Sequence, residues 1–175
     1  SNANDIGGTG YTPGDTLEYA LDFQVSDYFS QDNLVITDVT GDGQLFDGAF
    51  TPTYSVWENG VNTTGTFDPA NYSVVLDVVT GESTITFDLA QQLDDDGQDI
   101  TLAGDLYGAD NTETSGTRGT IVFHTEIQEE YEADVVPSGD VSVDMTDSLT
   151  NDVDADSTLT HNGAGVTDAS SAGVT

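Results

Sequence analysis

Over residues 17–25, Leu17, Tyr19, Leu21, Phe23 and Val25 alternate with Glu18, Ala20, Asp22 and Gln24. A period of two predicts a strand with one buried face. The turn Pro13-Gly14-Asp15 opens it. A second run, 34–39, ends in the acidic, glycine-bearing turn Gly41-Asp42-Gly43. Residues 120–127 put Ile121, Phe123, Thr125 and Ile127 on one face, opposite Val122, His124 and Glu126. Residues 53–58 lead into Asn59-Gly60, a hairpin signal, with 61–67 as the returning partner. Residues 72–79 and 83–89 flank Thr80-Gly81-Glu82 as a second hairpin. Weaker apolar patches at 44–50, 100–107, 141–145 and 149–153 add short strands, the last closing the domain. Residues 90–92 supply at most a helical turn, and no segment carries a helical period. The pattern predicts an all-β fold, an Ig-like antiparallel β-sandwich of roughly eight or nine strands.

Ser1-Asn2-Ala3 reads as a tag-cleavage scar, so residues 1–12 are expected to be scar and linker. One sandwich domain is expected over 13–160. Residues 161–175, mostly Gly, Ala, Ser and Thr, read as a flexible tail or inter-domain linker.

Charge changes the picture most. The chain carries 33 acidic residues against one basic residue, Arg118, for a formal net charge of -32. Nothing here neutralises phosphates, so nucleic acid is excluded as a partner. Anionic bilayers are disfavoured for the same reason, and no apolar run has the ~20 residues of a membrane helix, so membrane insertion is not expected. Cysteine is absent, which rules out disulfides and thiolate metal sites. Aspartate outnumbers glutamate about three to one, and aspartate favours turns and metal-binding loops. Calcium is therefore the expected cofactor.

Three tracts carry that expectation. Asp38, Thr40 and Asp42 followed by Gly43 reproduce the opening spacing of an EF-hand-type loop; Ala49 stands where the final Glu belongs, and Asp47 is the nearest substitute. Asp152, Asp154 and Asp156 repeat the odd spacing, with Ser157 in place of the glycine. Asp94, Asp95, Asp96 and Asp99 gather four carboxylates within a short loop, of which Asp94, Asp96 and Asp99 are the candidate ligands. A solvated acidic turn explains each tract equally well on its own.

For catalysis the candidates are thin. His124 lies on a predicted strand and His161 in the tail, and no nucleophile elbow, phosphate loop or zinc motif is present. The chain is not expected to be an enzyme. Trp57 lies out of phase with Tyr54 and Val56, so it is expected to face outward. Beside Tyr72, Tyr107 or Tyr131 it would offer a stacking surface for a sugar ring.

The opening Pro13-Gly14-Asp15-Thr16-Leu17-Glu18-Tyr19, with Leu34-Val35-Ile36-Thr37-Asp38 and Gly41-Asp42-Gly43, resembles the Ig-like repeats of large bacterial adhesins and cell-wall proteins. Ser138-Gly139-Asp140 and Ser148-Leu149-Thr150-Asn151 resemble the end of such a unit. The resemblance implies a non-enzymatic, secreted, cell-surface repeat, spacer or adhesive module. Its partners would be neighbouring domains of the same polypeptide and glycans or a host or biofilm surface. Many relatives are locked by a lysine-derived isopeptide bond; without lysine this chain cannot form one. The alternative reading is a calcium-dependent carbohydrate-binding module.

Overall fold

The structure is a computed structural model that describes residues 2–4, 11–25, 29–58, 60–104, 117–133, 136, 139–144, 147–161 and 164–174, with 2–4, 161 and 164–174 described by backbone alone. In chain order the elements are β1 (Asn2–Asn4), β2 (Thr16–Gln24), β3 (Ser30–Thr40), β4 (Gln44–Phe46), β5 (Thr53–Glu58), β6 (Val61–Thr66), β7 (Tyr72–Leu76), β8 (Ser83–Asp88), α1 (Leu89–Asp95), β9 (Arg118–Ile127), β10 (Asn151–His161) and β11 (Ala164–Val174).

The strands form two sheets. One runs β1-β2-β9-β5-β6, with β4 also paired to β9; the other runs β11-β10-β3-β8-β7. Every pairing is antiparallel. This is the expected sandwich, with eleven strands among the described residues against the eight or nine expected. The period-two faces land where the alternation puts them. Ile121, Phe123, Thr125 and Ile127 of β9 are buried, as are Leu34, Ile36, Asp38 and Thr40 of β3. Phe67, Phe87 and Phe123 are the largest fully buried side chains, and Phe87 and Phe123 bridge the two sheets with ring centroids 5.6 Å apart.

The Pro13-Gly14-Asp15 turn is tied to the end of β9: the Gly14 amide donates to the Ile127 carbonyl at 2.8 Å, and the Ile127 amide to that of Asp15 at 2.9 Å. Asp15 itself is buried, and its carboxylate accepts from the Thr12 amide at 2.9 Å. Gly60, at φ +79°, lies in the two-residue connection between Glu58 and Val61 and supplies the left-handed backbone that a tight hairpin needs.

Three local expectations change. Residues 89–95 form a full α-helix, capped by the Asp88 carboxylate on the Gln91 amide at 2.9 Å, with Leu89, Ala90 and Leu93 buried. The run expected at 100–107 reduces to a single bridge, Gln31 with Leu102, and that at 141–145 to Glu130 with Ser142; residues 105–107, Met145 and Asn59 lie outside the described residues. Finally, the stretch expected as a tail pairs along its length with β10, from His161 opposite Ala164 to Asn151 opposite Val174. Its Thr, Ser and Val residues fit an extended strand even without an apolar period. Asn2–Asn4, counted with the linker, likewise pairs with β2.

Candidate functional site

Half of the predicted calcium ligands sit on strands: Asp38 and Thr40 on β3, and Asp152, Asp154 and Asp156 on β10. Asp38 and Thr40 project inward from β3 and are fully buried. Asp42, in the following turn, accepts from three backbone amides: Gly43 at 2.8 Å, Glu132 at 2.6 Å and Ala133 at 3.2 Å. Its carboxylate pins that segment to the β3–β4 turn. Asp47 accepts from the Ala49 amide in its own turn. Asp152, Asp154 and Asp156 line up on the outer face of β10 and are exposed. Along a strand, same-face side chains stand roughly 6.5–7 Å apart, whereas an EF-hand gathers its ligands by curling.

Asp94 lies in the last turn of the helix, and Asp96 and Asp99 follow it. Asp96 accepts from the Tyr54 hydroxyl at 2.5 Å and from Gln92 Nε2 at 2.9 Å, and these bonds hold its carboxyl below the usual range. Asp99 accepts from the Thr101 amide at 2.9 Å. Among the described residues, no three acidic or histidine side chains converge on one point. The spacing was legible in sequence; the extended backbone under it was not.

The candidate sugar platform is also divided. Trp57 lies on the outer face of β5 with the Arg118 guanidinium 5.7 Å from its ring centre. Tyr72 lies in the other sheet, packed against Phe46 and Phe87 at 5.9 and 6.2 Å. Tyr107 lies outside the described residues. His124 stacks on Phe50 at 3.6 Å, with Nε2 3.7 Å from Glu18.

Two features emerge only in three dimensions. The first is a polar node inside the sandwich. Gln44 Oε1 accepts from the Tyr19 and Thr125 hydroxyls at 2.7 and 3.1 Å, while its Nε2 donates to the Thr150 carbonyl at 3.2 Å. Next along the chain, Asn151 Nδ2 donates to Asp38 Oδ2 at 2.9 Å. Gln44 thus ties the β2–β9 layer to the segment entering β10. Asp38 Oδ1 and Asn151 Oδ1 are both buried without a hydrogen-bond partner. Burial, countered by the Asn151 bond and reinforced by the Asp152 charge, pushes the Asp38 carboxyl up to about 6.

The second is the β7 edge. It ends its sheet, and among the described strands none pairs with its outer side. Val74 and Leu76 stand opposite the buried Ile85 and Ser83, so they point toward the interlayer space. They are nevertheless 39% and 37% exposed, which means the opposite sheet stops short of them. Val75, Val78 and Val79 are exposed at 61%, 55% and 67%. Native edges are usually blunted by charge, proline or a bulge, yet Tyr72-Ser73-Val74-Val75-Leu76 contains no charge or proline. The sequence signal was present: Val74-Val75 and Val78-Val79 are apolar in both phases, so one of each pair must face out.

No protein-family model matches the chain, and no curated protein matches it. Solved structures similar to it include the collagen-binding subdomain of the Enterococcus faecalis surface protein ACE, at 12% identity and TM-score 0.45, covering 94% of this chain and 89% of that one. A collagen-binding domain from a Staphylococcus aureus adhesin is 14% identical at TM-score 0.42, covering 89% and 86%. The collagen-binding domain of the Erysipelothrix rhusiopathiae surface protein RspB is 12% identical at TM-score 0.41, covering 89% and 40%.

Proposed function

We propose that the chain is a non-enzymatic, extracellular adhesive module of a bacterial surface protein, and that its contact surface is the open β7 edge. The observation that carries this reading is the row of uncovered aliphatic side chains: Val74, Val75 and Leu76 on a strand paired on one side only among the described strands, and Val78 and Val79 in the turn that follows it. Strand addition uses such an edge: backbone hydrogen bonds supply affinity, and alternate side chains fill the flanking apolar slot. The occupant is an extended, basic peptide segment of a partner protein. A second copy is disfavoured because each carries a formal charge of -32, and Asp77 lies within the apolar run and Glu82 just beyond it.

The test titrates the protein with a synthetic peptide alternating lysine and valine, followed by amide chemical shifts of β7 and β8. Saturable shifts confined to that edge are expected. Methylating alternate backbone nitrogens of the peptide keeps its charge and removes ladder bonds, so binding should vanish. The double variant Val75→Ser, Val79→Ser should weaken it by about tenfold through lost apolar contact. Equal binding of the methylated peptide would reduce the effect to charge attraction and overturn the proposal. So would self-association through β7 in place of peptide capture.

A further inference from the structure

A cavity of about 240 Å³ lies beside the β5–β6 hairpin, lined in part by Val56, Glu58, Leu93, Asp99 and Leu102. Its floor is apolar: Val56, Leu93 and Leu102 are 4%, 2% and 1% exposed. Two carboxylates complete it. Glu58 is the inward residue at the end of β5, following Tyr54 and Val56. It is held in place because its Oε1 accepts from the Ala103 amide at 2.8 Å and the Thr117 hydroxyl at 3.2 Å. Asp99 is exposed at the rim. Neither makes an ion pair among the described residues, and the one basic residue, Arg118, sits over Trp57 on the outer face of the sheet.

We propose that this cavity binds a primary alkylammonium group: an apolar carbon chain over Val56, Leu93 and Leu102, with the ammonium at Glu58 and Asp99. The chemistry fits on both counts. A buried apolar floor takes methylenes, and an anionic rim takes the strongly hydrated cation without requiring full desolvation. The volume is below the ~300 Å³ at which drug-sized ligand pockets begin, which limits the occupant to a short unbranched chain. Two sources carry this group, a free aliphatic amine and a lysine side chain of another protein. The site rests on a different surface from the β7 edge and stands or falls independently of it.

The experiment measures binding of ethyl-, butyl- and pentylammonium by amide shifts at fixed ionic strength, with pentanol as the neutral control. Affinity should tighten about three- to fourfold per added methylene, and pentanol should bind far more weakly. Glu58→Gln and Asp99→Asn should each weaken pentylammonium by roughly tenfold. Asp99 is exposed, so its variant keeps the test valid if Glu58→Gln disturbs the fold. A blocked Gly-Lys-Gly peptide compared with 1,5-diaminopentane separates the sources: peptide binding assigns a lysine side chain, and binding of the diamine alone assigns a free amine. Affinity independent of chain length, or unchanged in both variants, would overturn the proposal by reducing it to general attraction of cations to an acidic protein.

Discussion

Replacing Asp38 with asparagine should stabilise this protein at neutral pH. Asp38 is fully buried, receives one hydrogen bond from Asn151 and leaves Oδ1 without a partner. Its carboxyl is raised from 3.8 to about 6, chiefly by burial. Because the folded-state value lies above the unfolded one, ionised Asp38 opposes folding above pH 6. That cost fades as pH falls and is gone below about pH 4. A shift of this size corresponds to about 3 kcal/mol, at 1.36 kcal/mol per unit. Asparagine removes the buried charge. Its amide group puts a donor in place of the orphaned Asp38 Oδ1, and that donor can reach the orphaned Asn151 Oδ1 while the remaining oxygen keeps the Asn151 Nδ2 bond. Asp38→Asn should therefore gain about 2–3 kcal/mol at pH 7.5, or roughly 5–10 °C in Tm for a chain of this length, and nothing at pH 4. The assay is thermal and urea unfolding of both proteins from pH 4 to 8. Only the difference between the two proteins is read. A variant destabilised at pH 7.5, or one whose pH profile parallels the parent's, would refute the reasoning.

Tyr54→Phe removes the hydroxyl that donates to Asp96; about 1–2 kcal/mol should be lost, and carboxyl-carbon NMR should show the Asp96 pKa rising. Since Asp96 is held below its usual range by that bond, its pH effect opposes that of Asp38: stabilisation present above the unfolded value is lost as pH falls through the folded one. Gly81→Ala should cost about 1–3 kcal/mol in urea unfolding, because Gly81 holds φ +76° and its missing Cβ position is occupied by the Asp42 carboxylate. An unchanged midpoint would show that Asp42 can move without loosening Glu132 and Ala133. Finally, Tm should rise alike in sodium, magnesium and calcium chloride at matched ionic strength, as screening of 33 acids requires. A rise confined to sub-millimolar calcium would instead mark specific ligation at Asp38–Asp42, Asp94–Asp99 or Asp152–Asp156.

The alternation at 17–25, 34–39, 53–58, 83–89 and 120–127 was enough to determine a β-sandwich and the inward face of each strand, because strand side chains alternate whatever their partner. Gly60 marked its hairpin for an equally local reason. Composition alone removed disulfides and a lysine crosslink. Non-local facts were beyond its reach. Asp38 and Asn151 are far apart in the chain and adjacent only through the β3–β10 register, and Gln44 becomes a tie between layers only once β4 lies on β9. The odd-spaced aspartates read as loops because spacing carries no backbone conformation; the β3–β10 pairing holds Asp38 and Asp152–Asp156 on extended strands. Residues 164–174 lack an apolar period, so only the neighbouring β10 could turn them into a strand. Exposure of Val74 and Leu76 was settled by where the opposite sheet ends, which is a property of the assembled layers and of no residue in β7.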